Sequence, residues 1–126
     1  MKRLGQTLAG KRILVVEDEY LVAIELAQTM EDMGAAIAGM TGSLSEALSL
    51  TEAPLDGALV DVQLGAECSF VLVDKLLAAG VPLILTSGYD VAVLPAHLRH
   101  CPRISKPVPP ATLERLAGEL FGGGAA

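Results

Sequence analysis

Five short apolar runs punctuate the chain: Ile13 to Val16, Ala36 to Met40, Ala58 to Val62, Val81 to Leu85, and a weaker one around Ile104. Each is followed by a turn signal or by apolar residues at helical spacing, an alternation that predicts an α/β domain with a parallel sheet. The first, third and fourth runs are apolar without interruption, whereas a strand with one wet face alternates. Helices on both faces would explain this, so these three runs are predicted to form the sheet centre.

Helical patterns fill the intervals. Val22, Leu26, Met30 and Met33 recur at i, i+4, i+8 and i+11, one stripe of a first helix that stops near Gly34. Ser43 and Glu46 have capping-box spacing and open a short helix carrying Leu44, Ala47, Leu48 and Leu50 before Pro54 ends it. Phe70, Val73 and Leu77 mark a third helix closing at Gly80, and Pro109 and Pro110 precede a last one with Leu113, Leu116 and Leu120. From Asp90 to Pro102 the pattern fails: Pro95 interrupts, and Val91, Val93, Leu94 and Leu98 fit no single stripe, so one loose turn or a loop is expected. The expected organisation is a flexible segment 1–10, one domain over 11–121 and a flexible tail 122–126.

Composition narrows the function classes. With 126 residues, 52% hydrophobic and 19% charged, the chain has material for one core, and no separate output domain is expected. A net charge of -6 has the wrong sign for wrapping phosphate backbone or anionic lipid, so neither direct DNA binding nor membrane attachment is expected. The apolar stretch from Val71 to Leu85 is broken by Asp74, Lys75 and Gly80 and is shorter than the roughly 20 residues of a membrane span. Cys68 and Cys101 are too few for a disulfide scaffold or a closed zinc site, and no apolar run follows Met1, Lys2 and Arg3 to make an export signal. A cytoplasmic location is the expectation.

In an open parallel sheet, ligands sit beyond the carboxyl ends of the strands, where strand order reverses. There the first run ends in Glu17, Asp18 and Glu19, the third in Asp61, the fourth in Thr86, Ser87 and Gly88, and the fifth in Ser105, Lys106 and Pro107. Grouping Glu17, Asp18 and Asp61 is costly unless a cation neutralises them, and hard carboxylate oxygens suit Mg²⁺. Beside the metal and Lys106, Asp61 would stay ionised and could attack a phosphoryl group, while Lys106, the metal and the Thr86 hydroxyl stabilise its equatorial oxygens. Glu19 reads as a helix-start charge favoured by the macrodipole.

These residues resemble, over nearly the whole chain, the receiver domain of two-component response regulators. The family's acidic pair looks like Glu17 and Asp18, its phosphoacceptor like Asp61 in Leu59-Val60-Asp61-Val62, its hydroxyl residue like Thr86, and its lysine like Lys106 before Pro107. The resemblance implies a flavodoxin-like, doubly wound five-stranded parallel sheet of order 2-1-3-4-5. It implies direct Mg²⁺ ligation by Asp18 and Asp61, ligation through water by Glu17, and a further ligand from the Gln63 backbone carbonyl. It also admits a cis Lys106-Pro107 bond. The implied activity is transfer of a phosphoryl group from a histidine kinase or phosphotransfer protein to Asp61, with self-phosphorylation from small donors and autodephosphorylation. Signalling would follow through protein-protein interaction or phosphorelay, with dimerisation on phosphorylation through the face from the fourth strand to the last helix.

Two positions depart from the family pattern. Arg103 stands where receivers carry the switch aromatic, and its simplest reading is a charge on an edge strand that discourages sheet pairing. Thr86-Ser87-Gly88-Tyr89, followed by a poorly helical segment, is similar to the alphaproteobacterial receiver subgroup nicknamed FAT GUY, in which the fourth helix is reduced or disordered. That similarity implies a stress-response phosphorelay and assigns the switch to Tyr89 and the stretch 90–102. His97, His100 and Cys101 lie beside Arg99 and Arg103 without a fourth ligand and read as solvated loop residues. Two rival functions stand beside this reading. One is an interaction module that keeps the fold but signals by constitutive binding without phosphorylation. The other is a phosphohydrolase with an aspartyl nucleophile, disfavoured because Gln63 occupies the place of its acid-base Asp.

Overall fold

The computed structural model describes residues 7–88 and 94–122. In chain order these form β1 (Arg12–Val16), α1 (Tyr20–Asp32), β2 (Ala36–Thr41), α2 (Leu44–Leu50), β3 (Gly57–Asp61), β4 (Gln63–Leu64), β5 (Glu67–Cys68), α3 (Phe70–Ala78), β6 (Leu83–Ser87), a 3₁₀ turn (Ala96–Leu98), β7 (Arg103–Ser105) and α4 (Pro110–Phe121). The main sheet has five parallel strands in the order β2-β1-β3-β6-β7. This is the flavodoxin-like order, and the three uninterrupted apolar runs do lie at its centre.

Alternation along these inner strands sends successive side chains to opposite faces. Leu14, Val16, Ala58, Val60, Leu83 and Leu85 face α2 and α3, while Ile13, Val15, Leu59, Ile84 and Ile104 face α1 and α4. Both faces are therefore dry, and the open end of the sheet is left as the place for chemistry. The helices bury stripes turned slightly from those expected: Ala23 and Ala27 join Leu26 and Met30 in α1, and α4 buries Leu113, Ala117 and Phe121 with Leu116 and Leu120 at the margin. Small alanines within these buried stripes let the helix backbone approach the sheet.

Several local features differ from the expectation. β6 begins at Leu83 because Val81 donates its N–H to Leu76 at the end of α3 and Pro82 has none to give. It extends to Ser87, so Thr86 lies inside the ladder, directly opposite Asp61. The capping box of α2 is half formed: Ser43 Oγ accepts the Glu46 N–H at 3.2 Å, but the Glu46 carboxylate accepts a hydrogen bond from the Thr41 hydroxyl instead of reaching back to Ser43. The Ser43 N–H goes to Thr41 Oγ1 at 3.0 Å. The antiparallel pair β4 and β5 was not expected at all.

The termini and the aperiodic segment hold more of the core than their sequence suggests. Leu8 is fully buried, with its N–H on the Met33 carbonyl at 2.7 Å, so the end of the expected flexible segment is anchored. Within 90–102 the described part contains a single 3₁₀ turn, yet Leu94, Leu98 and Cys101 are buried against the α3 side of the sheet. Reading Cys101 as a solvated loop residue is therefore corrected. Leu98, Leu94 and Cys101 need no helical stripe to reach the core because the turn folds them inward one by one. Among the described residues no helix is long and apolar enough to cross a membrane.

Candidate functional site

The carboxyl ends of β1, β3 and β7 meet in an open crevice of about 510 Å³ lined by Asp18, Glu19, Asp61, Gln63 and Lys106, with Val22, Gly65, Gly88 and Pro107 around them. Strand geometry alone brings them together: parallel strands all present their last residues at one end. Lys106 extends the β6–β7 ladder by one bond, its N–H on the Ser87 carbonyl at 2.9 Å, and the Lys106-Pro107 bond that follows is cis.

The Lys106 ammonium has three protons and three carboxylates to receive them. It reaches Asp61 Oδ2 at 2.7 Å, Glu17 Oε2 at 3.0 Å and Glu19 Oε1 at 3.4 Å. Burial alone would pull its pKa down, but the hydrogen bonds to Asp61 and Glu17 outweigh burial and hold the ammonium well above the usual lysine range. Glu17 has no exposed side-chain surface, and burial pushes it up to about 7 against the lowering effect of Lys106 and of the Glu19 N–H. One of its oxygens, Oε1, has no hydrogen-bond partner among the described residues.

Asp61 is held at both ends. Its Oδ1 accepts the Gln63 N–H at 3.2 Å, and its carbonyl accepts the buried Ser69 hydroxyl at 2.6 Å. Ser69 also reaches the Val62 carbonyl at 3.2 Å. Asp18 is exposed at the crevice mouth, where its Oδ2 accepts the Gly65 N–H at 2.7 Å. Carboxylate oxygens of Glu17, Asp18 and Asp61 lie within 4.8 Å of one another. This donor set fits a hard divalent cation: all ligands are oxygens, and the crowding and the unpartnered Glu17 Oε1 are what a bound cation relieves. A more apolar groove of about 470 Å³ along α1 and α4 shares Val22, Lys106 and Pro107 with the crevice but contains neither Asp18 nor Asp61.

Thr86 departs from the expected arrangement. It stands beside Asp61 across the β3–β6 ladder, but its hydroxyl is wholly buried, unpartnered among the described residues, and outside the crevice lining. Gln63 lines the crevice from the β4–β5 pair. Tyr89 lies outside the described residues. His97 makes a surface contact with Asp74 at 2.9 Å, and Arg103, on the edge strand, donates to the Arg99 carbonyl at 3.0 Å. Sequence reasoning missed the contact of Glu19 with Lys106. The acidic run Glu17-Asp18-Glu19 was the signal available, since an acid leading into a helix beside a lysine-bearing strand end is within reach of it.

No protein-family model matches the sequence, and no curated protein does. Solved structures do match. The response regulator PhyR from Brucella abortus superimposes with a TM-score of 0.78 at 22% identity, covering 96% of this chain and 51% of that one. This chain thus spans about half of that relative. SdrG from Sphingomonas melonis Fr1 matches with a TM-score of 0.75 at 28% identity, covering 90% and 97%. The signal receiver domain of a modulated diguanylate cyclase from Desulfovibrio desulfuricans G20 matches at 0.74 and 29%, covering 90% and 94%. The chain thus has the fold of a receiver domain of the response-regulator type. Among receivers it resembles the alphaproteobacterial group represented by PhyR and SdrG.

Proposed function

We propose that this receiver accepts a phosphoryl group on Asp61 from a histidine kinase or phosphotransfer protein. An oxygen of Asp61 forms the new bond to phosphorus as the phosphorus–nitrogen bond of the donor's phosphohistidine breaks, and the imidazole leaves with the bonding electron pair. Mg²⁺, held by Asp18, Asp61 and the Gln63 carbonyl with Glu17 behind them, would supply positive charge to the phosphoryl oxygens. Lys106 supplies the rest. Its ammonium already lies 2.7 Å from Asp61, so it turns from carboxylate to phosphoryl oxygen with little travel.

The Thr86 hydroxyl has no hydrogen bond to break among the described residues, so its rotation toward a phosphoryl oxygen would gain a bond without losing one. That rotation is the proposed first step of signalling, passed to Tyr89 and to the face formed by β7 and α4. The response would then travel by protein-protein contact, by dimerisation or by onward transfer of the phosphoryl group. The observation that carries this reading is the lysine bonded to Asp61 beside the cluster of Glu17 and Asp18.

The test is intact mass after incubation with Mg²⁺ and a small phosphodonor, comparing the native chain with Asp61→Ala. One added phosphate on the native chain, lost without metal and lost in the variant, is expected. Absence of an adduct with that donor and with a panel of histidine kinases would overturn the proposal and leave constitutive binding without phosphorylation.

A further inference from the structure

Asp18 owes its position to a neighbour that has no side chain. Gly42 follows β2, and a Cβ placed on it would stand 2.7 Å from the Asp18 Cα, 3.1 Å from its Cβ and 3.2 Å from the Glu17 carbonyl oxygen. Carbon atoms in contact prefer about 3.5 to 4.0 Å, and here the obstacle is backbone that has no rotamer to yield. The β2–α2 corner that carries Gly42 is itself fixed. The Glu17 N–H reaches the Thr41 carbonyl at 2.9 Å, and the Thr41 hydroxyl binds Glu46 and receives the Ser43 N–H. On the opposite side Gly65, at φ +61°, gives its N–H to Asp18 Oδ2.

We infer that Gly42 is a positioning residue for the acidic site: by letting the β2–α2 corner press against the Asp18 backbone, it sets where the Asp18 carboxylate stands and thereby the affinity for Mg²⁺. The inference rests on the Mg²⁺ reading given above. A methyl group at position 42 moves the Asp18 backbone away from the corner. The carboxylate must then leave either its place beside Asp61 and Glu17 or its bond to Gly65. Supports of this kind, one step removed from the metal, are worth about tenfold or more in metal affinity.

Gly39 provides the control. A Cβ there meets Leu50 Cδ1 at 2.8 Å, on the core side of the same strand and away from the carboxylates. Titration calorimetry with Mg²⁺ on the unphosphorylated full chain, together with thermal unfolding, separates the two. Gly42→Ala is expected to weaken Mg²⁺ binding about tenfold, whereas Gly39→Ala, which meets only the movable ends of the Leu50 and Leu14 side chains, leaves Mg²⁺ affinity unchanged. Should Gly42→Ala not fold, Thr41→Val loosens the same corner without adding bulk, and a smaller loss of affinity is expected. Native-like Mg²⁺ affinity in the folded Gly42→Ala chain, or in Thr41→Val where that variant stands in, would overturn the inference. No Mg²⁺ binding by the native chain would instead overturn the reading beneath it.

Discussion

The two ends of the sheet are built by opposite rules. At the amino end, polar groups are exposed or half-buried and matched: the Arg12 N–H binds Asp56 Oδ2 at 2.9 Å, the Asp56 N–H returns to the Arg12 carbonyl, and the Arg12 guanidinium reaches the Pro54 carbonyl. At the carboxyl end, polar groups are buried and crowded. The buried polar side chains among the described residues are Glu17, Thr41, Asp61, Ser69, Thr86 and Ser87, all at or next to that end. Glu17 Oε1 and Thr86 Oγ1 have no partner there. One end closes the fold, and the other leaves two buried polar atoms without a partner among the described residues.

Substitutions sharpen this contrast. The largest effect belongs to Lys106→Ala, which removes the sole ammonium beside Asp61 among the described residues. Phosphorylation by a small donor, followed by intact mass over time, should slow about 10²- to 10³-fold while Mg²⁺ binding persists. Next comes Phe121→Ala, a core truncation at the amino end, expected to cost about 3 to 5 kcal/mol in denaturant unfolding with no change in Mg²⁺ affinity.

Glu17→Gln should act in the reverse direction in the metal-free protein. With its pKa raised to about 7, the folded chain keeps a proton between the usual carboxylate range and pH 7 that the unfolded chain has released. The native state then binds more protons than the unfolded one, so the Glu17 contribution to stability falls as pH rises through that window. The raised pKa of Lys106 adds no slope there, because that ammonium is charged in both states until far higher pH. Glu17→Gln should flatten the slope and stabilise the metal-free chain by about 1 to 2 kcal/mol near pH 7.5. With saturating Mg²⁺ the native chain should regain the advantage. The smallest effect is Asp56→Ala, a half-buried partner lost at the amino end, at about 0.5 to 1 kcal/mol.

What could be read from the sequence divides along similar lines. The inner strands were legible because continuous apolar runs have few other uses, and the meeting of Glu17, Asp18, Asp61 and Lys106 followed from each standing at a strand end. The β4–β5 pair was not legible, since two-residue strands carry no periodicity. Neither was the burial of Leu8 and Cys101, which depends on tertiary packing of aperiodic chain. The closed position of the Thr86 hydroxyl is likewise a matter of rotamer and register. The role of Glu46 was half legible: its spacing to Ser43 announced a cap, but the nearby Thr41 hydroxyl competes for its carboxylate.

Ser69 gives the carboxyl end an asymmetry of stiffness. By holding the Asp61 and Val62 carbonyls with one buried hydroxyl, and through its N–H on Val62, it rivets the tip of β3 to the first turn of α3. No such rivet joins Asp61 to Thr86 through side chains. Asp61 is therefore tied toward α3 through its main chain by a buried side chain, and toward β6 and β7 by the strand ladder and by the Lys106 ammonium on its carboxylate. The main chain at the tip of β3 is thus pinned by a hydroxyl, while the carboxylate it carries is held only by groups that a ligand can replace.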